Sequence, residues 1–533
     1  MKKPNIVYQK IGNNTYAYED YPTWDKEKKQ SRSKRVCLGR VDPETKELIK
    51  TRPYGKTNPN YTKRNSPLNN LDLSNFKYKK YGSFHVFNTI VEDLGVDKVL
   101  EEIFPNNHKE ILSFSYFRIL SQERGLYKFD VFDENYYHPC GHNITSQDSS
   151  NLISDIKEIE IKNFLSYMKK FIEEGECIAY DITSITSYSK NIDLCAYGVN
   201  KEHDVEKQIN LIFAVGEKTR IPVYFRVIKG NIADTKTVTV LNDEMNALGY
   251  SNVAFTFDRG FFSYSNIVDI ENHGINFIMG AKFSSNYIKE NLDLNRDKLL
   301  SFENLDHASN LYSIRVPIKL QSIGNGSYTG NKKLYIYYYY DEKRNHLAKE
   351  VIKENLQILK QAIIADKLSP ILKKRADKFF KISRRNGSIS CTLKKDVYEE
   401  TVKNFGYFSI VSNLKKDPID ILIIYREKDV IEKKFTVYKE KTNGRRLGVH
   451  HEKSVLGKVF ISFLATIIYS EFQNRVRKSG LLIQYKTYGK VIQMLDEIKM
   501  FEFGNNSYYF NEIPKKHVEI FHKLKVTVPC SIN

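Results

Sequence analysis

Hydrophobic and polar positions change rhythm several times along the chain. Over residues 1–80, short alternating runs (NIVYQKIG, RVCLGRVD) are separated by polar stretches containing Pro22, Pro43, Pro53 and Pro59, which predicts a small β-rich or extended module. From His85 the apolar residues of HVFNTIVEDLGVDKVLEEIF recur at spacings of three and four, and helical periodicity continues past Pro105 to about Glu174. The pattern turns at Cys177. CIAYDIT is a compact apolar run ending in a carboxylate, INLIFAVGE and IPVYFRVIKG follow as strands, a helical stretch begins near Asp234, and NVAFTFDRG and NFIMG are further apolar runs. Hairpin-like strands followed by β-α-β units predict an α/β core, a mixed sheet with flanking helices.

After Lys282 this rhythm stops for about 120 residues. Strands (LYSIRVPIKL, KKLYIYYYYD) surround a Gly/Asn-rich turn at Gly324–Gly330, and a charged helix runs from about His346 to Asp366, so a β-rich insertion domain is expected over 283–404. The core resumes at YFSIVSN, and from Ile424 the chain reads as helical through Phe472 and on to Phe501. The expected organisation is therefore a basic module (1–80), a helical region (81–175), the first part of the core (176–282), the insertion (283–404), the second part of the core (405–470) and a helical C-terminal region (471–533).

Composition narrows the class. The chain has 533 residues, 41% apolar and 13% aromatic, with few Gly and Pro, which excludes collagen and a mostly disordered polypeptide. The six cysteines are scattered, no apolar segment opens the sequence, and the longest apolar run, Val459 to Tyr469, falls short of the roughly 20 residues that span a bilayer. A reducing cytoplasm and no membrane are expected. The formal net charge is +19, and residues 1–80 hold 19 Lys and Arg against 8 Asp and Glu, a local net of +11. A Lys-rich, Asn-rich composition also follows from AT-rich coding, but that does not account for the asymmetry. The densest part, Lys26 to Arg40, is either a solvated arm or a phosphate-binding segment.

Asp181 and Asp258 each close an apolar run and precede small or turn-forming residues, and ligands of α/β sheets gather beyond strand ends. Either one alone reads equally as a helix cap or turn residue. Around Glu432, the residues Tyr425, Lys428 and Lys439 stand at −7, −4 and +7, one stripe of an ideal helix, which is also what a solvated face with a Lys–Glu pair looks like. Two aspartates and a glutamate are nevertheless the hard oxygen ligands that two Mg²⁺ ions require for phosphoryl transfer.

YDITSITSYSK, QINLIFAVGEKTRIPVYFRVIKGNIADTKT, TFDRGFFSYSNI and the Tyr-Lys-Glu-Lys helix, followed by GRRLGVHHEKSVLGKVFISFLA, resemble the successive motifs of DDE-type insertion-sequence transposases, in the branch with the signature Y-x2-R-x3-E-x6-K. The resemblance implies a ribonuclease-H-like catalytic core and a cut-and-paste recombinase acting on double-stranded DNA, both terminal inverted repeats and target, as a homodimer at the nucleoid. It implies catalytic and metal-binding roles for Asp181, Asp258 and Glu432, with two Mg²⁺ ions, or Mn²⁺ in their place, and Asp181 bridging. It implies DNA contacts for Tyr425, Lys428 and Lys439, the helical region 81–175 and the basic N-terminus. Asn231 and Arg259 lie within matching motifs in supporting positions. One residue departs from the signature: Lys428 stands where the branch has Arg, keeping the charge but losing the bidentate fork. A transposase-derived repressor without chemistry and a metal nuclease without strand transfer are the competing readings.

The separation of 174 residues between Asp258 and Glu432 fits an insertion in that interval, and its tyrosine run Tyr337–Tyr340 is either a base-stacking tract or simply a strand of good β-formers. His138, Cys140 and His142 (HPCGH) match no common zinc spacing. His450 and His451 adjoin Arg445 and Arg446, where a DNA-backbone or loop role is expected, and Gly324–Gly330 lacks the context of a phosphate loop.

Overall fold

The structure, a computed structural model, describes residues 5–12, 14–25, 30–43, 45–49, 77–121, 125–198, 206–232, 237–250, 253–283, 285–319, 333–385, 388–503 and 507–530. The chain divides into two compact units, Met1–Phe76 and Lys77–Asn533. In the first, β1 (Asn5–Ile11), β2 (Asn14–Asp25), β3 (Gln30–Val41) and β4 (Leu48–Ile49) form an antiparallel sheet in sequential order. Lys34, Arg35 and Arg40 of the basic run lie on β3, and Arg35 meets Asp20 of β2 at 3.3 Å. The turn expected at Gly324–Gly330 lies outside the described residues.

In the second unit, the short strand β5 (Lys77–Lys80) leads into helices that continue to Met168. Then come β6 (Cys177–Thr186), β7 (Gln208–Gly216), β8 (Pro222–Lys229), β9 (Ala254–Phe257), β10 (Asn276–Gly280), β11 (Leu305–Asp306), β12 (Leu311–Lys319) and β13 (Lys333–Tyr340). Between the hairpin β14 (Phe380–Arg385) and β15 (Ser388–Leu393) and the final pair β17 (Lys499–Phe503) and β18 (Ser507–Phe510) lies β16 (Tyr407–Ser412). Nine strands form one mixed sheet in the order β11-β12-β13-β16-β10-β9-β6-β7-β8, with β6, β9 and β10 parallel and the other neighbours antiparallel. β6 and β7 are buried at every position, which is why their sequences read as continuous apolar runs instead of alternating ones.

One face of the sheet is covered by the helices Pro418–Glu427, Asp429–Thr436 and Lys453–Lys478. Phe213 of β7 gathers the last two: its ring stacks on Phe435 at 5.0 Å and meets Phe463 edge-on at 5.4 Å. The Lys453–Lys478 helix is apolar all round because it is enclosed all round, the sheet on one side and the N-terminal helices on the other, with Phe460 against Phe104 and Phe164 and Phe472 against Phe87. It is long and apolar enough to cross a membrane, with a mean hydropathy of 1.6, although interrupted by too many small polar residues to stand out as one run; 89% of that window is buried inside the protein. Gly457 brings this helix against the Ser146–Asp155 helix so closely that a Cβ there would run into the Ile153 carbonyl.

Two regions differ from the expected organisation. The strands assigned to a separate β-rich insertion at 283–404 extend the central sheet: β13 pairs with β16 from Tyr335–Ser412 to Tyr340–Tyr407. A strand such as KLYIYYYY, apolar on both faces, needs cover on both sides and finds it here. What stands off the sheet is mainly helical: Glu342–Ile364, Pro370–Phe379 and Lys395–Val402 with the β14–β15 hairpin, around a small core of Leu356, Leu359, Ile363, Ala376 and Phe380. The C-terminal region is not all helix either, because β17 and β18 complete an antiparallel sheet with β5, and so Lys77–Lys80 belongs with the second unit.

Two glycines with opposite surroundings test this packing. Gly457→Val is expected to lower stability by about 1–3 kcal/mol, the usual cost of overpacking a tight contact. Gly489→Ala, helical and facing open space, is expected to raise it by about 0.4–1 kcal/mol. Urea midpoints of the two variants check both signs.

Candidate active site

β6 and β9 run parallel from Cys177–Ala254 to Tyr180–Phe257, and the next residue on each strand is an aspartate. Asp181 and Asp258 therefore stand at the same level and on the same face, because residues in register on adjacent strands point the same way. Tyr180 and Phe257, one step back, point to the other face and pack against each other and Phe261. Asp181 is not at the end of its strand, as the apolar run suggested. β7 pairs β6 as far as Thr186, so β6 continues five residues further; it is β9 that stops, turning at Arg259–Phe261. The consequence is asymmetric exposure: Asp181 is buried, while Asp258 is half-buried.

Gly280 of β10 is level with Asp258, by the register that pairs Met279 with Phe257. A Cβ at 280 would collide with the Tyr425 hydroxyl, so glycine here lets Tyr425 lie across the strand ends. Tyr425 donates to Asp258 Oδ1 at 3.4 Å, and Lys428 Nζ lies 3.4 Å from the same oxygen and 5.3 Å from the Tyr425 ring centre. Burial, followed by the charge of Asp258, pushes the Tyr425 hydroxyl well up, keeping it a donor. Lys282 donates to the Gly260 carbonyl at 3.1 Å and steadies the turn after Asp258.

Tyr425 and Lys428 arrive from above the sheet. Pro418 at the first helical position and Asp417, which accepts from the Ile419 amide at 2.8 Å, start one helix; it ends at Glu427, and a second begins at Asp429. The expected stripe is thus not one α-helix. It breaks at Lys428, and from Val437 to Lys441 the chain is π-helical, because Val437 and Tyr438 are drawn into the core, where Tyr438 meets Phe213 edge-on. Glu432 lies on the Asp429–Thr436 helix, which packs on β6 and β7 through Val430, Ile431 and Phe435, and its own side chain is exposed. Lys439 lies in the π-helical turn, partly buried.

The structure brings Asp181 and Asp258 together and places Tyr425 and Lys428 on Asp258. Among the described residues no three His, Cys, Asp or Glu side chains form a group that could hold a metal ion, so Glu432 does not complete a set with them. Two hard carboxylates at one level suit a divalent cation in kind, and Lys428 supplies the neutralising charge at Asp258. The other candidates are separate. His138 is bonded to Asp133 at 2.9 Å and Cys140 at 3.3 Å, with Lys79 also on Asp133, a buried polar network. Asn231, Arg259, His450 and His451 are exposed.

Two ionisable residues beneath the helices escaped the sequence reading. Glu217, just past β7 and opposite Cys177, shares the face of Asp181; burial pushes its carboxyl up to about 8, against the opposing influence of Thr256 and Lys428. Lys434 donates to Gln473 at 3.2 Å, and burial with Arg477 and Arg220 nearby pulls it down to about 7. The available signals were an acidic residue directly after an apolar run and a lysine on the apolar side of an amphipathic helix.

The transposase DDE domain family matches residues 175–468, more than half of the chain and the whole span from β6 into the buried Lys453–Lys478 helix. No curated protein matches. Among solved structures, a piggyBac transposase synaptic complex with hairpin DNA, determined by cryo-EM, is similar over 74% of this chain and 67% of that chain, at 10% identity and a TM-score of 0.31, too low to equate the folds.

Glu217 makes stability depend on pH in a defined direction. A carboxyl raised from 4.5 to about 8 holds its proton in the folded state where the unfolded chain has released it, so its contribution falls as pH rises between those values. Relative to Glu217→Gln, the unmodified protein is expected to lose stability from pH 5 to pH 8 and level off above; parallel urea profiles across that range would reject the assignment.

Proposed function

The chain belongs to the transposase DDE domain family, and from that premise we propose that it cuts the ends of a DNA element and joins them to a target by a cut-and-paste route. The family makes it a polynucleotidyl transferase with endonuclease activity, of a kind that uses divalent metal ions. The observation that carries the finer reading is the register placing Asp181 and Asp258 side by side on parallel strands. The order β8-β7-β6-β9-β10, with β7 antiparallel and β6, β9 and β10 parallel, supports a ribonuclease-H-like core. The Tyr425, Lys428, Glu432 and Lys439 spacing supports the Y-R-E-K branch, with lysine in place of its arginine.

In this reading Asp181 and Asp258 would hold Mg²⁺, or Mn²⁺ in its place, and Glu432, which stands apart from them here, would become the third ligand only if the Asp429–Thr436 helix brought it to them. Such ions, when bound, polarise the phosphodiester and lower the pKa of the attacking water or 3′-hydroxyl. The chain's own residues prepare that chemistry. Asp181, nearly sealed between β7 and β9, is a carboxylate whose burial favours a cation beside it. Lys428 neutralises Asp258 in this structure, and a cation held there would free its ammonium for the DNA backbone, where it would take a phosphate without the fork of an arginine. Tyr425, held protonated across the strand ends, donates to an oxygen there. Lys439 and the basic N-terminal unit add backbone contacts with terminal repeats and target, and pairing of two ends calls for a homodimer acting on chromosomal DNA in the cytoplasm.

Asp181→Asn, Asp258→Asn and Glu432→Gln are each expected to abolish Mg²⁺-dependent cutting of a fragment carrying the element's ends while retaining binding; cutting that survives in one of them removes that residue from the set. Lys428→Ala is expected to lower the salt slope of end binding by about 1, one phosphate contact, and Lys428→Arg to restore it. Supplying a supercoiled target separates joining from nuclease activity alone and from binding alone.

A further inference from the structure

Three of the four tyrosines in the run Tyr337–Tyr340 offer no platform for a base. Tyr337, Tyr338 and Tyr339 are buried in the sheet, with their hydroxyls donated to the carbonyls of Leu414, Ile288 and Pro418. Exposed tyrosines occur instead where β6 runs out beyond Asp181. Tyr188 is 63% exposed, with the Arg446 guanidinium 4.4 Å from its ring centre; Tyr197 is 69% exposed, with Lys207 Nζ at 5.9 Å.

Both pairs are fastened to the same end of the sheet. Arg446 bridges Thr186 in parallel fashion, the Leu447 amide donates to the Thr186 carbonyl at 3.0 Å, and Ser189 Oγ donates to the His450 carbonyl at 3.2 Å. Thr186 pairs with Gln208 of β7, and Gln208 exchanges two 3.0 Å backbone hydrogen bonds with Ala196, the neighbour of Tyr197. Among the described residues of these segments (186–198, 206–208 and 446–453) the cations Lys190, Lys207, Arg446 and Lys453 outnumber the acids Asp193, Glu206 and Glu452, the last accepting from the Leu194 amide at 3.4 Å.

An aromatic ring with a cation on one face and solvent on the other is chemically suited to an unpaired base, which stacks on the open face while the cation takes the adjoining phosphate. A base inside a duplex is already stacked on both faces and has none to offer. Tyr188 is seven residues from Asp181, at most about 23 Å along an extended strand, the rise of about seven stacked nucleotides. We propose that Tyr188 with Arg446 and Tyr197 with Lys207 form a stacking platform for unpaired nucleotides, gripping a single strand whose continuation lies in the Asp181–Asp258 site. The platform rests on the DNA-cutting reading only for its purpose, and its binding can be read without chemistry.

The test uses the full chain in EDTA, titrated into a fluorescein-labelled oligothymidylate of about 16 nucleotides and, separately, a blunt duplex of equal length, followed by anisotropy. Tyr188→Ala and Tyr197→Ala are each expected to weaken single-strand binding about fivefold or more, the effect of losing one stacked base, with duplex binding unchanged and Tyr188→Phe behaving as the unmodified protein. Arg446→Ala is expected to lower the single-strand salt slope by about 0.7. Single-strand affinity within about twofold of the unmodified protein in both alanine variants, or equal losses on single strand and duplex, would overturn the platform. Both tyrosines are exposed, so unchanged thermal unfolding excludes a folding defect. Failure of Mg²⁺-dependent cutting with the single-strand effect intact would reject the reaction and leave the platform standing.

Discussion

The candidate site depends on one register. β9 is only four residues long, and its parallel pairing with β6 sets Asp181 level with Asp258. A slip of one residue would turn one carboxylate to the opposite face, among Tyr180, Phe257 and Phe261. Those three rings hold the register in turn, since each is large, buried and placed on the face opposite the aspartates. Gly280 on the next strand, the absence of a side chain that lets Tyr425 cross it, and the meeting of Lys428 with Asp258 all follow from the same level in the sheet.

The helices above the sheet give this level its electrostatics. They bury Glu217 and Lys434, and burial drives both toward their neutral forms, the acid upward and the amine downward. Asp258, at the rim, keeps solvent access and a partner of opposite charge. A buried acid beneath and a compensated one at the edge produce a graded environment within one helical cover. The same cover, through Phe435, Tyr438 and Phe463 on Phe213, draws the chain into a π-helical turn just after the helix of Glu432.

Tyrosine shows how far residue type alone underdetermines role. At Tyr337–Tyr339 the rings fill the sheet and every hydroxyl finds a backbone carbonyl, a structural use of a good β-former. At Tyr188 and Tyr197 the same side chain stands in solvent beside a cation. Contiguity drew attention to the first group; exposure, a property of the folded chain, singles out the second.

Local pattern was enough to locate the strand-forming runs at Cys177, Gln208, Pro222 and Ala254, to mark Asp181 and Asp258 at their apparent ends, and to find the helical stretches, because period and apolarity are written in neighbouring residues. It misjudged the segment 283–404, since whether LYSIRVPIK and KLYIYYYY make their own domain or widen the main sheet depends on which edge is open to them, and that edge is β16, which the chain reaches only later. It drew Tyr425 to Lys439 as one stripe, since nothing local reveals the break at Lys428 or the pull of Phe213 on Tyr438. The sequence by itself determined the chemistry available: which carboxylates, which cations and which rings. Only the tertiary structure decided which of them share a level, a face and a solvent boundary, because register, burial and ion pairing are set by contacts between residues far apart in the chain.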